Sequence, residues 1–398
     1  MRAIVLDHFG GLDSLVIKEI PEPEPEPGKV VIQIKAFGIN HAEMHMRRGE
    51  WAEATPVSGI ECVGIVKSCL GGEFAVGSKV AALMGGLGRT INGSYAEYTR
   101  ANVNGVVQLE SNLPWEELAA LPESYATAWT CLFRNLELVK GQTLLLRGAT
   151  SSFGLAALNL AVEAGAKVIA TTRNRDRFKK LEDLGAHRVE LEGPELSTRI
   201  AESKQIDAVL DLVGNSTILD SLGILRRGGR ACLAGWLGGL APIADFNPLL
   251  QMPSGVYLTF FASFVFGTPG FPLSDVSASR DCEEGGAGQV PCETVTSISL
   301  RRHSRGTSRD GSQRGEWKDG CRALKTITLR EEPSRSRRPH QNVWQRFPMG
   351  YLASSSPLWC WTRAYLICSI SWRALNHLHG IAEMEEHHEE FCRNCDWS

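Results

Sequence analysis

The sequence predicts an α/β protein in which a small barrel-like β domain precedes a doubly wound parallel sheet, with a C-terminal third that is irregular or disordered. Short strand-like segments separated by Gly and Pro occupy the chain up to about residue 110, and strands alternate with helices from about residue 118. After Val276 neither the strand period of 2 nor the helix period of about 3.6 is sustained. We therefore expect domains at 1–117 and 118–275, and a tail at 276–398 that is not a folded domain.

Composition and charge restrict the kinds of partner. The 398 residues are 43% apolar, and 42 basic and 45 acidic side chains give a net charge of −3. This balance argues against nucleic acid or an anionic membrane as the main partner. No window reaches the roughly 18 apolar residues of a membrane span, and the first residues lack signal-peptide features. The four cysteines before residue 276 have no motif spacing. We therefore expect reduced thiols and a cytoplasmic protein.

The β domain begins with a strand, a turn and a second strand within residues 1–20. The alternating Pro/Glu tract at 21–27 leads directly into the next strand, so we interpret it as an extended connection. A ligand for a proline-binding module is the alternative. The remaining predicted strands of this domain cover 30–37, 62–69, 79–84 and 95–100.

The second domain begins with a predicted helix at 115–121 and then alternates between strands and helices. Such alternation implies right-handed βαβ units and a parallel sheet that is covered on both faces. The predicted strands are 143–147, 168–172, 208–212, 231–234 and 257–261. The predicted helices between them are 153–164, 176–184, 196–203 and 218–225.

A turn rich in small residues separates the first of these strands from its helix. In dinucleotide sites, glycines let the backbone approach a pyrophosphate that binds the free N–H groups of the helix N-terminus. Gly154 suits helix–strand packing, whereas Ser152 stands where the common pattern has its middle glycine. A purely structural turn is the alternative. We predict that the cofactor is bound by Gly148, Ala149, Thr150, Ser151, Ser152, Phe153 and Gly154.

The end of the second strand of this domain indicates which dinucleotide is bound. NAD enzymes usually have an acidic residue there, about 20 residues after the glycines. This chain has Thr172 and Arg173 instead, with no acid before Asp176. A carboxylate would repel a 2′-phosphate, whereas hydroxyl and guanidinium groups bind it. We predict NADPH over NADH, the alternative being that Arg173 and Arg175 only begin a solvated helix.

The segments at 31–41, 59–65, 93–98, 121–129 and 211–214, together with the turn at 147–154, resemble the quinone oxidoreductase branch of the medium-chain dehydrogenase/reductase superfamily. The resemblance covers residues 1 to about 275 and implies a GroES-like β domain, a Rossmann domain and a homodimer through the Rossmann edge. It also implies that Asn40 and Thr127 are catalytic residues beside the nicotinamide, with Gly235 near it. Turn capping by Asn40 and helix capping by Thr127 are the alternatives.

Zinc-dependent members of the superfamily have a ligand Cys and a Gly-His-Glu motif where this chain has Asn40 and Ile60. Because zinc needs about four ligands, we expect no metal. Without a Lewis acid the acceptor must already be electrophilic. We therefore expect an NADPH-dependent oxidoreductase that transfers hydride to a quinone or an α,β-unsaturated carbonyl (enone). An enoyl reductase of a biosynthetic pathway, a cofactor-binding protein without catalysis and an inactive or truncated family member are the alternatives.

The tail departs from the family, whose members return to complete the β domain. It holds 7 of the 11 Cys and 6 of the 10 Trp, and 15 Arg but only 2 Lys. A reading-frame shift near codon 276 would explain this, because the codons of 316–322 permit Asn-Gly-Lys-Met-Val-Val in another frame. A zinc module at Cys392 and Cys395 is the alternative. A β domain without its closing strand keeps an unpaired edge, so we expect poor solubility and little activity.

Overall fold

The computed structural model describes residues 1–51 and 53–277, together with the backbone of Thr326–Thr328 and Ser369–Ser371. The frame shift and the irregular tail concern residues that lie almost wholly outside this description. The alternative zinc module lies entirely outside it.

The N-terminal region is built from antiparallel strands, as the short segments with Gly and Pro between them predict. A hairpin pairs β1 (Arg2–Leu6) with β2 (Leu15–Glu19). The neighbouring sheet is centred on β3 (Lys29–Gly38), which pairs with two other strands of this region. Alternate side chains of β3 enter an apolar core. The remaining strands are β4 (Glu61–Cys69), β5 (Lys79–Leu83), β6 (Tyr98–Asn102) and β7 (Val106–Gln108).

An unpaired strand edge is expected in the β domain because the family's closing strand is missing from the sequence, but the sequence does not indicate which strand has that edge. The structure places Thr326–Thr328 antiparallel to Ala36–Gly38, and Ser369–Ser371 parallel to that segment. The expected unpaired edge therefore does not lie at these three residues of β3. The predicted poor solubility and low activity stay predictions.

Three helices lie near the boundary between the two regions. The predicted helix at 115–121 is confirmed as α2 (Trp115–Ala119). The sequence analysis missed α1 (His41–Arg47) and α3 (Pro122–Thr130). A wide helical turn at Cys131–Asn135 continues α3. The helix α1 has only two turns, which is too short for an apolar period to be recognised.

The second region is a six-stranded parallel sheet. Its strands are β8 (Thr143–Arg147), β9 (Lys167–Thr172), β10 (Arg188–Leu191), β11 (Ile206–Asp211), β12 (Leu225–Leu233) and β13 (Tyr257–Phe260). The connecting helices are α4 (Ser152–Glu163), α5 (Phe178–Asp183), α6 (Leu196–Arg199) and α7 (Ile218–Ile224), and the shorter α8 (Pro248–Gln251) and α9 (Ser274–Ser277) follow. All predicted strands are confirmed, and β10 is added to them. The spatial order β10-β9-β8-β11-β12-β13 reverses between β8 and β11, which confirms the doubly wound architecture and locates its ligand crevice.

The two regions share one apolar core. Met46 of α1, Ile60 and Leu83 belong to the same buried cluster as Leu146 of β8 and Ala157 of α4. After β13 the chain returns to the β domain. Gly85 N–H donates to the Phe266 carbonyl oxygen at 3.0 Å, and the Phe266 side chain is buried in the shared core. Side chains at the junction of the two regions therefore contact residues of both regions.

Candidate active site

The turn after β8 fits the predicted pyrophosphate cradle. Ser151 caps α4, because its Oγ accepts from Gly154 N–H at 3.0 Å and donates to the Gly148 carbonyl oxygen at 3.0 Å. Gly148 has a φ of +78°, a conformation that favours glycine. A Cβ on Gly154 would lie 2.6 Å from the Gly148 oxygen. The helix therefore approaches the strand as closely as the sequence analysis expects.

Three loops meet at the carboxyl edge of the sheet, at the point where the strand order reverses. A Cβ on Gly148 would lie 3.0 Å from Leu237 Cδ1 and 3.3 Å from Leu212 Cβ. A Cβ on Gly235 would lie 2.6 Å from the Leu212 carbonyl oxygen. The structure thus brings the predicted cofactor residues Gly148 and Gly235 against the same residue of the β11 loop.

The two threonines at the end of β9 have different hydrogen-bond partners. Thr171 is buried, where its Oγ1 accepts from Gly148 N–H at 3.2 Å and donates to Glu192 Oε2 at 2.6 Å. Thr172 Oγ1 accepts from Asn174 N–H at 3.3 Å, and Arg173 beside it is half-buried. Thr172, Arg173 and Asn174 carry no carboxylate, and Asp176 is the first acid after β9.

A buried ion network lies directly beneath the glycine turn. Arg147 is fully buried at the end of β8 and donates to Glu192, to Asp220 Oδ2 at 2.8 Å and to Ser221 Oγ at 3.1 Å. Burial raises the pKa of Asp211, and Arg147 opposes that rise. The sequence analysis missed this network, although one Arg closing the run Thr143–Arg147 was a signal. We define the Arg147 cluster as Arg147, Thr171, Glu192, Asp211, Asp220 and Ser221.

A second group of buried acids lies where α1 and α3 meet β4. Glu61, at the start of β4, accepts from Asn40 Nδ2 at 2.8 Å through Oε1 and from Glu123 N–H at 2.8 Å through Oε2. Glu43 accepts from Asn40 N–H at 2.6 Å and from the Tyr95 hydroxyl at 2.7 Å. Burial raises the pKa of Glu61 to about 8. Glu61 is therefore largely a neutral acid at pH 7.

Glu123 differs from Glu61 in having one oxygen without a partner. Its Oε1 accepts from Ser263 Oγ at 2.6 Å, whereas Oε2 is buried with no hydrogen-bond partner among the described residues. Burial raises the pKa of Glu123 to about 7, against the opposing effect of the Ser263 and Thr127 hydroxyls. Thr127 Oγ1 is likewise buried and forms no hydrogen bond of normal geometry with a described residue. We define the carboxyl cluster as Asn40, Glu43, Glu61, Tyr95, Glu123, Thr127 and Ser263.

The two residues expected beside the nicotinamide both belong to this cluster. Asn40 precedes α1, and its side chain is linked through Glu61 to the backbone of Glu123. Thr127 lies inside α3, so the alternative in which it caps a helix is wrong. The sequence analysis missed Glu43, Glu61, Glu123 and Ser263. A Glu within the apolar run 59–65 was a signal for Glu61 only.

Residues that are poor zinc ligands occupy the positions at which zinc-dependent relatives have their metal ligands. Ile60 is 1% exposed and contributes only an alkyl group to the core. Over residues 1–51 and 53–277, no three or more His, Cys, Asp or Glu form a group able to hold a metal ion. In the same part of the chain, no helix has both the length and the apolar character needed to cross a bilayer.

Comparison with known proteins gives the family. The model described as "Alcohol dehydrogenase GroES-like domain" matches residues 26–111, and the model described as "Zinc-binding dehydrogenase" matches residues 153–267. Mouse quinone oxidoreductase is 30% identical over 263 residues, which cover 62% of this chain and 76% of the mouse protein. The chain belongs to the quinone oxidoreductase-like medium-chain dehydrogenases/reductases. This membership extends over about 275 residues.

Other relatives agree with that assignment. Human quinone oxidoreductase is 28% identical to this quinone oxidoreductase-like chain, with 66% of the chain and 81% of the human protein covered. A quinone oxidoreductase structure from Pseudomonas syringae superimposes with a TM-score of 0.62 at 25% identity, covering 69% of this chain and 85% of that one. A mycobacterial protein solved in complex with NADPH gives a TM-score of 0.61 at 26% identity, covering 70% and 85%. The chain is thus an oxidoreductase with a GroES-like domain and a Rossmann-like sheet.

Proposed function

We propose that this oxidoreductase transfers hydride from NADPH to a quinone or another α,β-unsaturated carbonyl, without zinc. The observation that carries the proposal is the end of β9, where Thr172 and Arg173 replace the acidic residue of NAD enzymes. The mycobacterial structure with NADPH supports it, since that protein has the same fold. We propose boundaries of 1–117 and 118–275 for the two domains.

The residues assigned to the cofactor form three groups in this proposal. The turn Gly148 to Gly154 binds the pyrophosphate, because the free N–H groups at the start of α4 can donate hydrogen bonds to an anion. Thr172 and Arg173 bind the 2′-phosphate, and the loop at Gly235 lies against the nicotinamide half. When bound, NADPH supplies a hydride from C4 of its nicotinamide ring.

Asn40 and Thr127 bind the acceptor. The Asn40 amide is oriented by its hydrogen bond to Glu61, and it is fixed further by the Glu43 carboxylate on its own N–H. An unpartnered buried hydroxyl such as Thr127 Oγ1 costs free energy, which an acceptor oxygen beside it would offset. The proposal of zinc independence rests on donor chemistry, since the amide and Ile60 are poor zinc ligands.

The testing experiment compares NADPH and NADH with a panel of quinones and enones, before and after treatment with a chelator. We expect a preference for NADPH and no loss on chelation. The substitution Arg173→Ala should weaken NADPH binding by about 10- to 100-fold and leave NADH binding unchanged, because a hydrogen bond to a charged group contributes about 1.5–3 kcal/mol. Equal use of both nucleotides, or activity restored only by zinc, would contradict the proposal.

We also propose a cytoplasmic homodimer that forms through β13. Tyr257 and Phe260 on this edge strand are each 54% exposed, and Leu249 nearby in the chain is 89% exposed. Exposed apolar residues on an edge strand favour pairing with another chain. The cysteines Cys62, Cys131 and Cys232 are free and buried, which agrees with a reducing compartment. Sedimentation analysis should give a dimer, and a monomer at all concentrations would contradict this part of the proposal.

A further inference from the structure

Reduction of a carbonyl acceptor needs a proton as well as a hydride, and the carboxyl cluster contains an acid placed to supply one. Glu123 and Thr127 are four residues apart on α3, so their side chains share one face of the helix. Glu123 Oε2 and Thr127 Oγ1 are both buried and form no hydrogen bond of normal geometry with a described residue, yet they are close enough that the Thr127 hydroxyl lowers the pKa of Glu123. Their hydrogen-bonding capacity is therefore incompletely used, and a bound group beside Thr127 would complete it.

The other oxygen of the Glu123 carboxyl group faces a different environment. Oε1 accepts from Ser263 Oγ at 2.6 Å, and Ser263 lies in the turn Ser263–Val265 that follows β13. Ser263 is half-buried, whereas Thr127 is only 5% exposed. The carboxyl group therefore has one oxygen toward the protein interior and one toward a residue that water reaches.

We propose that Glu123 donates the proton of the reaction through the Thr127 hydroxyl and is reprotonated through Ser263. The inference rests on the proposed function, with the acceptor beside Thr127. As hydride reaches the acceptor, the acceptor oxygen forms a bond to the Thr127 Oγ proton. The Glu123 O–H bond breaks, and its proton restores the Thr127 hydroxyl. The carboxylate that remains takes a proton from water by way of Ser263, so one hydride and one proton are consumed per acceptor.

The surroundings keep Glu123 protonated near neutral pH. Among the described residues, no Lys or Arg forms an ion pair with Glu123, and the titratable groups that interact with it electrostatically are the Glu61 carboxyl and the Cys131 thiol. Glu43 also acts on Glu61. None of these groups is positively charged, so none stabilises a Glu123 carboxylate. Burial correspondingly raises the pKa of Glu123 to about 7, which suits a general acid.

The first test is the pH profile of the full-length chain with NADPH and an enone. The kcat of the unmodified chain should fall as the pH rises through about 7, because the acid must be protonated. Glu123→Gln should lower kcat about 100-fold, leave the KM for the acceptor unchanged and abolish that limb of the profile. Glu123→Asp should restore part of the rate together with the limb.

A second measurement needs no cofactor. The part of the infrared carboxylic-acid absorption that is lost in Glu123→Gln should disappear from the cofactor-free chain as the pH rises through about 7, whereas the Glu61 part should persist to about pH 8. Thr127→Val should lower kcat as Glu123→Gln does but keep the Glu123 part of the absorption. Thr130→Val is the matched control, since Thr130 Oγ1 donates to the Ala126 carbonyl oxygen at 2.9 Å on the same helix. It should change neither readout.

The outcomes separate this inference from the proposed function. If the unmodified chain reduces no quinone or enone with NADPH, the proposed function fails and the relay fails with it. If the unmodified chain turns over and Glu123→Gln keeps its rate and pH profile, only the relay is overturned. An infrared titration near pH 7 that is identical in the unmodified chain and in Glu123→Gln would also overturn it.

Discussion

The Arg147 cluster and the carboxyl cluster both bury several acidic side chains, yet they are built in opposite ways. In the first, a fully buried guanidinium donates to Glu192 and Asp220. In the second, Glu61 and Glu123 receive only hydroxyl, amide and backbone donors. A paired cluster is suited to holding loops in place, whereas acids without a cation remain protonated near neutral pH. The hydrogen-bond partners of the acidic side chains therefore distinguish a cluster that stabilises the fold from a cluster that can take part in proton transfer.

The largest expected effect comes from breaking the paired cluster. Arg147→Met should lower the free energy of unfolding by about 3–5 kcal/mol, because three carboxylates lose their buried cation. Urea unfolding of the full-length chain measures this change. Arg188→Met is the matched control, since the Arg188–Glu202 pair is about one-third exposed on both sides and should contribute about 0–1 kcal/mol. If Arg147→Met and Arg188→Met lower the free energy of unfolding equally, the Arg147 cluster has no special role in stability.

The carboxyl cluster should make the free energy of unfolding depend on pH. The pKa of Glu61 is raised from 4.5 to about 8 on folding, so its contribution is fully present below about pH 4.5 and is lost as the pH rises through about 8. The loss should be at most about 5 kcal/mol, the value for the complete pKa shift. Glu61→Gln should reduce this slope in unfolding measurements and remove its part between about pH 7 and 8, while Glu123 maintains the rest. Glu202→Gln, whose carboxylate has a pKa lowered by Arg188, should keep it.

A smaller effect tests whether the Arg147 cluster positions the glycine turn. Thr171→Val removes the hydroxyl that links Gly148 N–H to Glu192. It should lower the free energy of unfolding by about 1–2 kcal/mol and weaken NADPH binding several-fold. Fluorescence titration with NADPH gives the second quantity. Unchanged affinity together with lowered stability would show that the cluster supports the fold but not the turn.

The smallest expected change lies within the carboxyl cluster. The Ser263 hydroxyl lowers the pKa of Glu123, so Ser263→Ala should raise that pKa by up to about one unit. The midpoint of the infrared titration reports this shift. Thr268→Val, in the same segment but bonded to the Val265 carbonyl oxygen, should leave the midpoint where it is. A downward shift would mean that Ser263 does not donate to Glu123 in solution.

The features that the sequence predicts well are local. The turn Gly148 to Gly154 is recognisable because the steric need for glycine and the helix start both act within seven residues. The strands of the parallel sheet are recognisable because buried strands are continuous apolar runs. The pairing at the end of β3 was not predicted, since it depends on residues almost 300 positions away.

The carboxyl cluster was unpredictable for the same reason. Glu61 meets Glu123 across 62 residues, and Glu123 meets Ser263 across 140. No residue in this set has a distinctive neighbour in sequence, because the environment that alters its chemistry is assembled only by the tertiary fold. The resemblance to a family supplied Asn40 and Thr127 but none of the acids.

The hydrogen bond between Ser263 and Glu123 also orders events during synthesis of the chain. By the time Thr172 has been made, all residues of the glycine turn and of the neighbouring strand β9 have been synthesised, although Glu192 and Leu212, which contact them, follow later. Glu123 acquires its partner only after another 91 residues, once β13 has docked on the sheet. The residues of the glycine turn are therefore synthesised long before the partner that completes the environment of the acid, so a chain that stops before Ser263 would contain the turn but not the finished acid.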